Sequence, residues 1–379
     1  MKYLKYTDKF LLIISTLLFL FGLVMVFSSS NIAAFMRYHT NPYYFLTKQA
    51  INLLIGIILF LVVIRFSTKS YSAISWGGLL VCASFLLIAF FSDRLINDSK
   101  GWIRIASFNF QPSELTKVVL IVWYSAFFEL KRKSLDNIFT NLFPIFIAGA
   151  LAGLVIIGND FGTAGVIVIL SFLLYILIPG NALVKYKTVF ISFVAMILVL
   201  LGYYVMNTSS FQRQISRFDF MNPCSEEKFY TTGNQVCNSY IAFNNGSLTG
   251  KGLGNSTQKY LYLPDSHTDF IFAIVVEELG FLGGSAVILF YLLLLYRIIL
   301  IGKRSASSRG SIMCYGIAIY IFLHIAINLL GIMGAIPLTG IPLPFISYGG
   351  SFTLCLILAL SIVQRVAIET KLKEKGEYF

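Results

Sequence analysis

Residues 10–28 read Phe10-Leu11-Leu12-Ile13-Ile14-Ser15-Thr16-Leu17-Leu18-Phe19-Leu20-Phe21-Gly22-Leu23-Val24-Met25-Val26-Phe27-Ser28. No charge interrupts the run. At the rise of an α-helix it extends roughly 28 Å, close to the apolar thickness of a bilayer. It is longer than a typical signal-peptide core, and only Ser28-Ser29-Ser30-Asn31 follows, with no small-residue cleavage site. It therefore reads as an uncleaved first spanning helix. Nine similar runs follow near 46–64, 71–92, 113–130, 138–158, 161–179, 186–206, 270–296, 311–336 and 345–364. The expectation is an all-α polytopic membrane protein: ten spanning helices in a single membrane domain over 1–379, with one large loop, 207–268, between helices seven and eight.

Composition agrees. Of 379 residues, 57% are hydrophobic and 12% charged, about half the charged share of a soluble domain. An ordinary soluble enzyme, a disordered chain and a disulfide-stapled miniprotein are all excluded. Cys82, Cys314 and Cys355 lie in apolar runs as small core residues. Cys224 and Cys237 share the long polar loop, 13 residues apart, and are a possible disulfide. No Cys-x-x-Cys pair or His cluster suggests a metal centre.

The net charge of +12 is a topology signal. With the N-terminus in the cytoplasm, 18 of the 29 Lys and Arg fall on that side. Five of the rest sit on the long loop, which leaves 18 against 6 over short loops and both termini inside. The basic residues are dispersed over many short loops, so they do not read as a nucleic-acid surface. The 207–268 loop is too aromatic in its second half, with Tyr240, Phe243, Tyr260 and Tyr262, for simple disorder and is expected to fold back onto the outer membrane surface.

Charges inside spanning segments are functional candidates by default. Glu114 and Lys117, three apart on one helix face, form a possible ion pair, structural or functional. Asp160 precedes Phe161-Gly162-Thr163 and reads as an N-cap, which leaves a ligand role open. Asp269 stands where the polar loop meets the apolar run Phe270-Ile271-Phe272. It is a cap, a solvated acid or a functional carboxylate whose pKa burial would raise. Glu277 and Glu278, two turns deeper, must face protein or a polar cavity. Thr249-Gly250-Lys251-Gly252-Leu253-Gly254-Asn255 is a weak phosphate-loop signal without strand–helix context, and a flexible turn is the simpler reading. Three prolines within 336–345 rule out a regular helix and point to a re-entrant or surface-lying segment. Together with Trp102 and Arg104, these residues put a functional site on the outer face. An enzyme acting on a lipid-linked substrate, a transporter and a partner-binding scaffold all fit.

Several motifs are more specific. They are Gly101-Trp102-Ile103 with Phe110-Gln111-Pro112-Ser113-Glu114-Leu115-Thr116-Lys117; Asp160-Phe161-Gly162-Thr163-Ala164; Gly252-Leu253-Gly254-Asn255-Ser256-Thr257-Gln258-Lys259; Tyr262-Leu263-Pro264; His267-Thr268-Asp269-Phe270-Ile271-Phe272; and Pro337 to Gly350 ending in Ser347-Tyr348-Gly349-Gly350. In this order they resemble the SEDS family (shape, elongation, division and sporulation), and its division branch more than its elongation branch. Departures are Gly158-Asn159 where Gln-Pro is common, Gly246-Ser247-Leu248 for Gly-Gly-Leu, and Gly101 where Arg is frequent. The Cys224–Cys237 pair is not a family hallmark.

The resemblance implies peptidoglycan glycosyl transfer on the outer face of the bacterial cytoplasmic membrane, in septal wall synthesis. The substrate would be lipid II, a disaccharide-pentapeptide on undecaprenyl pyrophosphate. Asp269 would be the essential carboxylate. Trp102, Arg104, Lys117, Gln258, Lys259, His267 and Ser347 would bind substrate, and Glu114, Asp160 and Glu277 would support them. Arg104, Lys117, Lys251 and Lys259 are candidate phosphate partners. A divalent cation, Mg or Mn, could assist, with Asp160 as its candidate partner, although no metal-ligand spacing is present. The implied partners are a class B penicillin-binding protein and other divisome membrane proteins, with no nucleic acid. The alternatives are a lipid II flippase, with Glu277 and Glu278 lining a polar path, and a non-catalytic divisome scaffold.

Overall fold

The computed structural model describes residues 2–91, 100–105, 108–206, 222–231 and 233–376. The start of the long loop, 207–221, lies outside the described residues. Twelve helices account for most of the described chain: α1 (Lys9–Met36), α2 (Tyr44–Val63), α3 (Thr68–Phe91), α4 (Pro112–Leu130), α5 (Ile138–Ile157), α6 (Phe161–Leu177), α7 (Ala182–Met206), α8 (Glu226–Phe229), α9 (Asn234–Gly246), α10 (Ile271–Lys303), α11 (Ser308–Ile332) and α12 (Gly350–Glu374). Eight of them are long and apolar enough to cross a membrane. The other two long runs are α6, which has 17 residues, and α4, which carries Glu114, Lys117 and Glu129. The chain is a multi-pass membrane protein. In lipid only a helix satisfies its own backbone, so the ten apolar runs become ten helices.

One departure from the all-helical expectation is a small hairpin ahead of α4. Its strands β1 (Ile103–Ile105) and β2 (Phe108–Phe110) pair antiparallel, with Arg104 opposite Asn109. At the centre stands α12, most of it buried, whereas α7 lies at the rim with most of its side chains exposed.

The final helix starts five residues later than the apolar run and ends ten later. Arg365 explains the extension. It is 1% exposed, pairs with Glu369 at 3.0 Å and donates to the Ile64 carbonyl just past the end of α2 at 2.9 Å. A charge satisfied in this way need not end the helix. Nearby, Asp8 caps α1 through the Leu11 amide at 2.9 Å and takes Arg297 of α10 at 2.6 Å. Gln364 of α12 holds both the amide and the carbonyl of Asp8. This end of the bundle is thereby closed.

The opposite end carries the long loop. Its described part begins with α8 and a disulfide between Cys224 and Cys237. Closing a loop of this length stabilises by about 2–3 kcal/mol. Non-reducing peptide mapping should therefore recover the two cysteines as one linked species; alkylated free thiols at both positions would refute the pairing.

The glycine motif has a structural role. Helix α10 breaks at Gly280, where φ is +72°, and residues 247–252 lie against the break. Lys251 and Gly252 donate to the Glu277 and Glu278 carbonyls at 3.0 and 2.9 Å, and Phe281 donates to the Ser247 carbonyl at 2.9 Å. A Cβ at Gly250 would stand 2.3 Å from the Glu278 carbonyl, and one at Gly280 2.4 Å from the Gly250 amide. Only glycine permits two backbones this close with positive φ. The motif is a backbone clasp on a kinked helix and no phosphate cradle.

Candidate functional site

Asp269 lies in the turn that ends the long loop, just before α10. Its main chain is fixed from three sides. The Asn328 amide of α11 donates to its carbonyl at 2.8 Å and to that of Ile341 at 2.8 Å. Ser347 donates to the Thr268 carbonyl at 2.6 Å and accepts from the Leu343 amide at 2.8 Å. The Tyr348 amide donates to the His267 carbonyl at 2.9 Å. The proline-rich 337–349 segment is thereby sewn to the 267–269 turn.

That segment enters the bundle as a re-entrant loop. Leu343 and Ile346 are fully buried, Tyr291 of α10 donates to the Pro344 carbonyl at 2.5 Å, and Phe345 packs on Phe19 of α1. Gly22 admits it: a Cβ there would stand 2.2 Å from the Phe345 carbonyl. Non-helical backbone at membrane depth is tolerated because protein surrounds it.

The Asp269 carboxyl itself accepts no hydrogen bond among the described residues. Desolvation first, and the neighbouring Asp265 charge second, push it up to about 7. The residue is only half-buried, so the group is desolvated yet reachable. Gly340, at φ +71°, faces it; a Cβ there would lie 3.5 Å from Asp269 Oδ2. On the other side of the same loop, a Cβ at Gly162 would stand 2.9 Å from the Thr339 carbonyl. Asp160 caps α6 through the Thr163 amide at 3.0 Å and accepts from Gln111 Nε2 at 3.1 Å. Both carboxylate-bearing turns therefore flank residues 339–340.

The remaining candidates fall into separate clusters. Glu114, Lys117 and His324 form a buried group between α4 and α11. Lys117 Nζ lies 2.8 Å from Glu114 and 2.9 Å from His324 Nε2. Tyr320 donates to Glu114 at 3.3 Å, and the His324 ring stacks on Phe352. Lys259, 2% exposed, pairs with Glu278 at 3.1 Å and donates to the Gly254 carbonyl at 2.6 Å. Ser28 of α1 donates to Glu278 at 2.7 Å. Glu277 accepts from the Ser256 hydroxyl, from Thr257 at 2.7 Å, from Asn245 at 2.9 Å and from the Gln258 amide at 3.2 Å. The two glutamates hold the 251–259 loop onto α10.

His267 is buried against Phe45 and Tyr348. Burial and the Arg37 charge push it down to about 4, so its ring is neutral near pH 7. Ser347 acts on the Thr268 main chain. Trp102 is half-buried and Arg104 exposed on the hairpin. The sequence reading missed Asp265, Gln111, Asn328 and His324. For His324 the signal was available: an imidazole midway along an apolar run needs a polar partner.

Among the described residues no three His, Cys, Asp or Glu side chains gather as a metal group. Asp160 already has both oxygens bonded. The donor set does not make a protein-built cation site, and no chemical step is derived through one.

A helical membrane bundle with a desolvated, unbonded carboxylate at the mouth of a re-entrant loop defines a membrane protein with a candidate catalytic site at its loop end. The family model described as "Cell cycle protein", FtsW/RodA/SpoVE, matches residues 8–372, and the chain belongs to that family. It is 33% identical, over 98% of this chain and 93% of that protein, to "Probable peptidoglycan glycosyltransferase FtsW" of Bacillus subtilis. It is 34% identical to the protein of that name from Coxiella burnetii, over 96% of this chain and 97% of that protein. The same fold occurs in a chain solved under the heading "Structural coordination of polymerization and crosslinking by a peptidoglycan synthase complex", with TM-score 0.75, 20% identity and coverage of 96% and 98%. Thermus thermophilus Rod shape determining protein RodA gives TM-score 0.67 at 19% identity, covering 95% and 96%.

Proposed function

We propose that this chain is a peptidoglycan glycosyltransferase that polymerises lipid II, with Asp269 as general base. The observation that carries the reading is the Asp269 carboxyl: half-buried, without a hydrogen bond among the described residues, and poised at about 7. A base working near neutral pH needs such a pKa. It stands where a sugar on a membrane-anchored lipid would arrive. Asp269 takes the proton of the acceptor 4-hydroxyl as that oxygen bonds to the donor's anomeric carbon. The bond to the donor's pyrophosphate breaks, and undecaprenyl pyrophosphate leaves with its electron pair.

Positive charge helps the leaving group. Lys117 and Lys259 are enclosed in buried ion pairs. Arg104 on the hairpin and Lys251, whose Nζ lies 3.3 Å from Glu277, are the basic candidates with access to solvent. The partner is a class B penicillin-binding protein, in keeping with the synthase complex that shares the fold. The deciding experiment is glycan-chain synthesis from lipid II by the purified complex; absence of polymer would overturn the reading. The flippase alternative loses its polar path, because Glu277 and Glu278 are bonded to the 251–259 loop.

The reading places the loop end of the bundle outside the cell and both termini in the cytoplasm. Cysteine labelling at Leu253, which is exposed, tests this. A cysteine there should react with an impermeant reagent in intact cells. Labelling only after permeabilisation would invert the topology and remove the site from its substrate.

A further inference from the structure

Beside Asp269, between the C-terminal end of α1 and the 259–267 turn, lies a cleft of about 260 Å³. Its floor is apolar, with Ala33, Leu263 and Pro264; its polar lining carries Arg37, Asp265 and His267, and Lys259, which Glu278 holds. We propose that this cleft is a subsite for a zwitterionic, peptide-like part of the substrate, with Arg37 receiving its carboxylate and Asp265 its amide or ammonium hydrogens.

Three features point to such a ligand. The Arg37 guanidinium sits over the Tyr38 ring at 5.8 Å and makes no ion pair among the described residues. The Asp265 carboxylate likewise has no hydrogen-bonded or ionic partner among them, although its backbone is held at φ +54°, a conformation that is costly for a residue with a side chain. The turn that strains it is anchored by the Ser266 hydroxyl, which donates to the Ser29 carbonyl of α1 at 3.1 Å. Third, His267 is 5% exposed, and its Nδ1 is buried without a hydrogen bond among the described residues. A buried polar atom without a bond is expensive, and a ligand would relieve that cost.

The charge pattern selects among ligands. His267 is neutral near pH 7 and Lys259 is already paired with Glu278 at 3.1 Å, so the cleft presents one positive and one negative group, Arg37 and Asp265, that do not neutralise each other. A pyrophosphate would meet Asp265 as a like charge. A sugar carries no charge to match either group. A peptide segment offers a carboxylate for one and N–H donors for the other. Asp265 also ties the cleft to the proposed reaction centre, four residues on, since its charge acts on Asp269. The inference rests on the glycosyl-transfer reading and deepens it: the part of lipid II with both kinds of group is its pentapeptide stem. The cleft is smaller than a drug-sized pocket and takes a short stretch of that stem.

The test compares lipid II with its full stem and lipid II trimmed to the first stem residue, using the purified synthase complex. Arg37 is exposed, so Arg37→Ala should fold as the parent does. Removal of one charge-assisted hydrogen bond should raise KM for full-stem lipid II about tenfold with kcat kept, and leave KM for the trimmed substrate unchanged. Arg37→Lys should recover part of the loss. An unchanged KM for full-stem lipid II overturns the proposal, and so does an equal rise for both substrates, which would assign Arg37 to the shared pyrophosphate. Binding of the soluble stem peptide, followed by saturation-transfer NMR on the detergent-solubilised protein, is independent of catalysis. Arg37-dependent binding by a protein that makes no polymer would uphold the subsite and reject the glycosyltransferase; no binding by the parent protein would overturn the subsite.

Discussion

Asp269→Asn abolishes glycan synthesis from lipid II while the protein still inserts and holds its transpeptidase partner. The substitution keeps the shape of the side chain and removes its basicity. It leaves no broken bond behind, because the carboxyl accepts none among the described residues, and the main-chain contact from Asn328 at 2.8 Å does not involve the side chain. The fold should therefore be indifferent to the change. The rate should fall about 10²–10⁴-fold, the usual contribution of a positioned base. Glycan-chain length on a gel reads the result, and near-normal polymer would rule out this carboxylate as the base.

The pH profile supplies a second reading of the same group. The working form is the carboxylate, and its pKa is raised to about 7. Activity should thus be full above that value and decline about tenfold per unit below it. Asp265→Asn removes the smaller of the two causes, so the acid limb should move to lower pH without reaching that of a solvated Asp. A limb left in place would show that Asp265 does not act on this group.

Glu114→Ala has its largest effect on the fold. Lys117 is fully buried between α4 and α11 and has Glu114 at 2.8 Å. Without that carboxylate the ammonium keeps, among the described residues, the neutral partners His324 and the Tyr320 ring at 5.6 Å, and Tyr320 loses its acceptor at 3.3 Å. Breaking a buried pair from one side costs about 3–5 kcal/mol. Purified Glu114→Ala should show a much reduced yield and Tm, and activity should fall in step. Glu114→Ala combined with Lys117→Met should regain most of the stability, since no charge is then left alone. An unchanged Tm in the single variant would mean that solvent or lipid headgroups reach Lys117.

The ten long helices were legible in the sequence as apolar runs, and eight of them satisfy alone the length and polarity that a bilayer imposes. Asp160 as a cap was legible for a similar reason: an N-cap is set by residues within one turn. The position of Asp269 at a boundary between polar loop and apolar helix was also visible, and the resemblance of its motif supplied the rest. What the sequence did not determine was the use of each charge, because a buried charge acquires its partner from a segment far away in the chain. Lys259 looked like a phosphate ligand until Glu278 and Ser28 enclosed it, and the glycine motif read as a flexible turn with a weak phosphate-loop signal until the break at Gly280 gave Gly250 and Gly252 a helix to clasp. The last apolar run stops at 364, yet its helix continues, because Arg365 finds Glu369 and the Ile64 carbonyl. The placement of Arg37 beside Asp265 belongs wholly to tertiary structure: 228 residues of chain separate them, and only the packing of the long loop on the end of α1 makes one cleft of both.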